Sequence, residues 1–182
     1  LREYVRRVPR RSLMLASFLG RQEGLEKLDQ ALSLCERGLK KKVFPLKAVT
    51  EVTVAALRRH LNELNNYDGR DQYFNRVDAW FQQGSEELTD SHTMVLQLAE
   101  FETMRGNTTR VVILYREFLG RPDLLPLHRA IVQNNLAYVL ALEEKGEESL
   151  ELVEEAIQHL GPTGSLLDTR AMAKIAVGRY PE

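Results

Sequence analysis

The histidines and the single cysteine are the side chains of this sequence best suited to catalysis or metal binding. His60, His92, His128 and His159 are far apart, and none forms the i, i+4 pair that places two ligands on one helical face. Cys35 falls at a core position of its helix, which indicates a small buried hydrophobe. The sequence contains no Gly-x-Ser-x-Gly, Walker or Gly-x-Gly-x-x-Gly pattern. It therefore predicts no catalysis, no metal site and no cofactor.

Composition limits the classes of partner. Apolar residues make up 43% of the 182 residues, which is enough for a sizeable core. The net charge of −1 disfavours nucleic acid, because phosphate binding needs a basic surface. No apolar run approaches the ~20 residues of a membrane helix, and one cysteine suits a reducing compartment. These features predict a cytoplasmic protein that does not insert into membranes.

The elements that must position any site are predicted to be helices. Apolar residues recur at helical spacing, and prolines and glycines stand where the helical patterns stop. Val49, Val52 and Val54 could form a strand, but the long uninterrupted segment around them favours a helix. The predicted helices are 11–23, 25–38, 46–65, 71–84, 91–105, 107–119, 127–144, 147–160 and 165–177, with residues 1–8 ending an earlier helix.

The last third of the chain shows an internal repeat. Leu136, Ala137 and Leu140 share a helical face, and Arg170, Ala171 and Lys174 follow them after about 34 residues. A period of this length is typical of stacked helix pairs, which usually bind other proteins.

The repeat resembles the tetratricopeptide repeat (TPR) family. Counting from Ala130, the small or large residues that this family uses at positions 8, 20, 24 and 27 are Ala137, Ser149, Val153 and Ala156. The phrase from Leu167 to Tyr180 also looks like the family's end phrase, whereas residues 45–90 match poorly. The resemblance implies an all-α, right-handed superhelical solenoid of antiparallel helix pairs in one domain, 1–182, from a larger bacterial TPR-containing protein. The solenoid would contain about four helix pairs and a partial end unit. The pairs would be 9–43, 45–88, 91–123 and 127–162, and the end unit would be 164–182.

In this family the first helix of each pair lines a concave groove that holds a peptide or partner protein. Carried onto this sequence, the partner-binding positions are Gln97, Glu100, Met104, Asn134, Asn135, Tyr138, Asp168, Thr169 and Met172. Asn135 stands where family members hydrogen-bond a peptide backbone. The basic clamp that some members use for a peptide carboxylate is missing, since Glu100 and Asp168 stand at such positions. The groove would suit an apolar or mildly basic segment.

The function implied is a protein-interaction scaffold without catalysis, whose partner is an unidentified protein or peptide. One alternative is a regulatory or sensor module of a multidomain signalling protein, such as a kinase or transcription regulator, whose catalytic part is absent from this chain. Another is a nucleic-acid-binding helical repeat that uses the basic residues near the N-terminus. A helix uncovered at the end of the array, with Ala171, Ile175 and Val177, would also allow self-association through uncapped ends.

Overall fold

The protein is all-helical across the residues that its computed structural model describes, 9–84 and 91–178, and no strand lies in these ranges. The chain divides into two compact units, Leu1–Arg105 and Gly106–Glu182. Unit 1 contains helices α1 (Pro9–Leu19), α2 (Leu25–Lys40), α3 (Leu46–Arg59), α4 (Leu61–Asn65), α5 (Arg70–Gln83) and α6 (His92–Arg105). Unit 2 contains α7 (Thr108–Leu119), α8 (Pro126–Leu142), α9 (Gly146–Leu160) and α10 (Gly164–Ala176). The predicted all-α class is confirmed.

Parts of the sequence predictions lie outside the described residues. These are the helix end predicted at 1–8, residues 85–88 of the predicted second pair and the end phrase beyond Gly178. The boundary between the two units follows Arg105 and so falls inside the predicted pair 91–123.

Unit 1 is organised around α3. This helix packs against α1, α2, α5 and α6, while α1 and α2 pack against each other. Aromatic rings fill the space between α5 and α6, where the ring centroid of Phe101 lies 5.8 Å from that of Phe74 and 5.3 Å from that of Phe81. All three rings are buried. Contacts between large rings of this kind contribute strongly to a core.

The valine-rich segment is helical, as predicted, and its buried polar residues find partners inside unit 1. The hydroxyl of Thr53 donates to the carbonyl of Val49 in the preceding turn, at 2.9 Å. The hydroxyl of Thr50 donates to the side-chain oxygen of Gln97 on α6. Both threonines and Gln97 are buried, so these hydrogen bonds avoid the cost of burying unpaired polar groups.

The helix predicted at 46–65 is interrupted at His60, which ends α3 and precedes the short α4. The imidazole of His60 is buried, and its Nδ1 lies 3.2 Å from a carboxylate oxygen of Glu63. The other oxygen of Glu63 accepts from the backbone N–H of Leu25 at 3.2 Å. The break therefore brings α4 to the beginning of α2, a long-range contact that helical periodicity does not reveal.

Unit 2 is organised around α8, which packs against α7, α9 and α10, and α9 packs against α10. Its core is a cluster of small and branched side chains. The cluster contains Ala130, Ala137, Val153, Ala156 and Leu166. Ser149 is also fully buried, and its hydroxyl donates to the carbonyl of Ala137 at 2.6 Å. Small residues at these positions allow α8 and α9 to cross closely.

No helix within the described residues is long and apolar enough to cross a membrane.

Candidate functional site

The side chains that could do chemistry are dispersed in the described structure. Residues 9–84 and 91–178 contain no group of three or more histidine, cysteine or acidic side chains placed to hold a metal ion. His60 is buried in unit 1, whereas His159 is exposed on α9 of unit 2. His60 and His92 belong to unit 1, and His128 and His159 belong to unit 2.

Cys35 is fully buried on α2, as the sequence predicts. Its burial raises the pKa of the thiol from 9.0 to about 12, and the nearby charge of Arg76 opposes this shift only in part. The guanidinium of Arg76 is held by Asp29 at 2.7 Å and by Glu36 at 3.4 Å. A thiol with a raised pKa is a poor nucleophile, because the thiolate is the reactive form.

We expect native Cys35 to resist alkylation. Iodoacetamide at about pH 8 should label it slowly in buffer and fast in urea, where the thiol regains its ordinary pKa. The pKa of this thiol is 9.0 in the unfolded chain and about 12 in the folded protein. Its contribution to the free energy of unfolding is therefore complete below pH 9 and falls as the pH rises towards 12. Mass spectrometry gives the labelling rate, and a Cys35→Ala variant should lose this part of the pH dependence. Fast labelling of the folded protein would contradict the prediction.

The groove residues predicted in unit 1 are used mainly inside that unit. Gln97 is buried and accepts from Thr50. Met104 is buried, and its carbonyl accepts from a guanidinium nitrogen of Arg70 at 2.6 Å. Glu100 is half-buried and pairs with Arg58 at 2.8 Å. Of the three, only Glu100 offers part of its side chain to a partner.

The groove residues predicted in unit 2 are more accessible. Tyr138 is exposed on α8, with Asn134 and Asn135 half-buried on the turn before it. The side-chain oxygen of Asn134 is buried and accepts no hydrogen bond from the described residues. On α10, Asp168 is exposed and Met172 is half-buried, whereas Thr169 is buried. Thr169 therefore belongs to the core of unit 2 and not to its accessible face.

On α8, the predicted positions Asn134, Asn135 and Tyr138 form part of a longer exposed stripe. The exposed fractions of its large apolar residues are 54% for Leu127, 38% for Ile131, 46% for Tyr138 and 57% for Leu142. Their spacing of four, seven and four residues keeps them on one helical face. We call this face, with the two asparagines between its apolar residues, the α8 surface. Its members are Leu127, Ile131, Asn134, Asn135, Tyr138 and Leu142.

Helix α8 is apolar on two faces. One face carries the buried residues Ala130, Ala137 and Leu140, and the other carries the α8 surface. A helix of this kind has little contrast between its sides, so periodicity alone does not separate core from surface. Leu127 and Leu142 continue the same stripe at both of its ends.

Charged residues of unit 2 lie around the α8 surface and not within it. Five of the ten acidic residues between 106 and 178 lie on α9, where Glu148 pairs with Arg116 of α7 at 2.6 Å and Glu155 accepts from Gln133 at 2.6 Å. The members of the α8 surface carry no charge. A partner seated there would meet aliphatic, aromatic and amide groups.

Comparisons of the chain with protein-family models, with curated proteins and with solved structures found no match.

Proposed function

We propose that this protein is an interaction module that binds a segment of another protein on the α8 surface. The observation that carries the proposal is the stripe of large apolar side chains exposed on a helix whose opposite face is fully packed. Contiguous exposed apolar side chains are typical of binding sites, because exposing large apolar groups to water is unfavourable and a bound partner covers them. Tyr138 supplies the kind of large, partly apolar group that often dominates binding energy.

Asparagine within the α8 surface determines what kind of segment would fit. An asparagine side chain both donates and accepts hydrogen bonds. The half-buried Asn135 would bond the backbone of a bound segment in this way, while apolar side chains of the segment cover Ile131 and Leu142. The carboxylate of Asp168 would accept a basic side chain. This chemistry favours an apolar or mildly basic segment.

The helix packing supports a TPR-like repeat architecture for this module. In such an array, the first helix of a pair packs against the second helix and against the first helix of the next pair. Helix α8 packs in this way against α9 and α10, and α1 packs in this way against α2 and α3. The positions at which the family requires small residues, Ala137, Ser149 and Ala156, are all fully buried. Membership of the family, a bacterial source and a cytoplasmic location stay predictions.

Peptide display against the immobilised protein tests the proposal directly. We expect the selected peptides to share apolar residues and to bind the Asn135→Ala, Tyr138→Ala double variant about tenfold more weakly, because large aromatic anchors often carry more than 1 kcal/mol each. Fluorescence anisotropy with one labelled peptide measures the affinities. The matched control is Tyr67→Ala in unit 1, which removes a tyrosine exposed to 43%, close to the 46% of Tyr138.

Two outcomes would contradict the proposal. One is that no peptide is enriched over a blank surface. The other is that the selected peptides bind the double variant as tightly as the unchanged protein. Circular dichroism of both variants establishes that neither substitution has unfolded a unit.

A further inference from the structure

The exposed apolar residues of the α8 surface are arranged symmetrically about its two adjacent asparagines. The outer residues, Leu127 and Leu142, each stand eight positions from the more distant asparagine, and the inner residues, Ile131 and Tyr138, each stand four positions from it. The exposed fractions also match within each pair, at 54% and 57% for the outer residues and 38% and 46% for the inner ones. The stripe therefore presents a similar surface when it is read from either end.

A stripe of this kind suits a contact with two-fold symmetry. In such a contact the same patch of both copies meets itself, so the patch must be self-complementary. When two α8 helices pack antiparallel about the middle of the stripe, Ile131 of one copy faces Tyr138 of the second copy, and Leu127 faces Leu142 in the same way. An α-helix turns by about 100° per residue, which keeps these four residues within about 30° of one line along the helix. The two stripes therefore meet along their whole length.

The polar and charged groups fit the same arrangement. Asn135 would lie beside the two-fold axis, where its half-buried amide and that of the second copy can each donate and accept a hydrogen bond. The members of the α8 surface carry no charge, so they bring no like charges together when two copies meet. Antiparallel packing also places the positive N-terminal end of each helix near the negative C-terminal end of the other.

We infer that the α8 surface binds a second copy of this chain as an antiparallel pair of α8 helices, and that a bound segment of another protein displaces this copy. The second part rests on the proposed function, because both occupants need the same stripe. The stripe from Leu127 to Leu142 is about 22 Å long and one helix wide. Such an interface is smaller than the roughly 1,600 Å² of a standard stable complex, so the dimer is weak and a partner can replace it.

Sedimentation of the full chain over a range of concentrations tests the pairing. We expect the average mass to rise from one chain towards two in the micromolar to submillimolar range. Asn135→Asp would bring two carboxylates together beside the two-fold axis and should weaken the dimer at least about tenfold. Asn75→Asp, which changes an exposed asparagine of α5, is the matched control and should leave the mass distribution unchanged. A peptide selected by display should return the unchanged protein to single chains.

Disulfide cross-linking tests the antiparallel register. The thiols of two Asn135→Cys chains would lie close together across the axis, whereas those of two Leu127→Cys chains would lie about 22 Å apart. Mild oxidation should therefore link Asn135→Cys to itself and leave Leu127→Cys unlinked. Leu127→Cys mixed with Leu142→Cys should link, which shows that the thiol at the end of the stripe is reactive. Cys35 is fully buried and does not compete.

Three results would overturn the pairing. They are a protein that stays monomeric at every concentration, an Asn135→Asp variant that dimerises as strongly as the unchanged protein, and a Leu127→Cys variant that links to itself as readily as Asn135→Cys. A monomeric protein that still binds selected peptides would leave the proposed function intact. A dimer with the expected cross-links from which no peptide is selected would support the pairing and overturn the displacement together with the proposed function.

Discussion

Replacing Ala156 with leucine is expected to lower the free energy of unfolding by about 1–3 kcal/mol, the range found when a packed core receives extra methylene groups. Ala156 is fully buried on α9, in the same cluster as Ala130 and Ala137 of α8. The added carbon atoms of leucine have no free space there, so α8 and α9 would have to move apart or the side chain would have to leave its preferred rotamer. Urea unfolding followed by circular dichroism measures the change.

The matched control makes the same substitution at an exposed position of unit 2. Ala171 lies on the accessible side of α10, so Ala171→Leu should change the free energy of unfolding by no more than about 0.5 kcal/mol. If Ala156→Leu unfolded at the same urea concentration as the control, the close crossing of α8 and α9 would be wrong.

The sequence predicts this crossing because the small residues that it requires can be recognised within a single helix pair. Ala137, Ser149 and Ala156 recur at positions where any larger side chain would separate two helices, and the short turn between α8 and α9 leaves few arrangements other than antiparallel packing. The same reasoning places Cys35 correctly in the core of α2. Such positions are predictable because the requirement lies within one helix pair.

The candidate site is less predictable, because accessibility depends on contacts distant in sequence. Gln97 occupies a groove position by its spacing, but Thr50, which lies 47 residues earlier in the chain, holds its side chain in the core of unit 1. Thr169 is similarly buried in unit 2.

The interruption at His60 has the same origin. The residues from Leu46 to Asn65 have strong helical periodicity, and no proline separates α3 from α4. The break depends on a buried imidazole and on the hydrogen bond between Glu63 and the backbone of Leu25, 38 residues earlier. Periodicity predicts which residues are helical, whereas these contacts determine where one helix stops and another begins.

The effect of a single methyl group at Gly146 tests the contact between the beginning of α9 and the end of α10. A Cβ at this position would lie 2.7 Å from the carbonyl carbon of Ala176 and 2.7 Å from the backbone nitrogen of Val177. Backbone atoms cannot rotate aside as a side chain can, so α10 would have to shift. We expect Gly146→Ala to cost about 1–3 kcal/mol, even though alanine is the better helix former.

Gly164→Ala is the control for this substitution, because Gly164 is likewise the first residue of its helix. A Cβ there would have no atom within 4 Å, and its backbone conformation is accessible to alanine. The control should therefore stabilise the protein by about 0.4–1 kcal/mol, since alanine loses less conformational entropy on folding than glycine. Thermal unfolding of the two variants should shift in opposite directions. If both variants were more stable than the unchanged protein, α10 could not pack against the beginning of α9, and the α8–α9–α10 arrangement that supports the repeat architecture would be wrong.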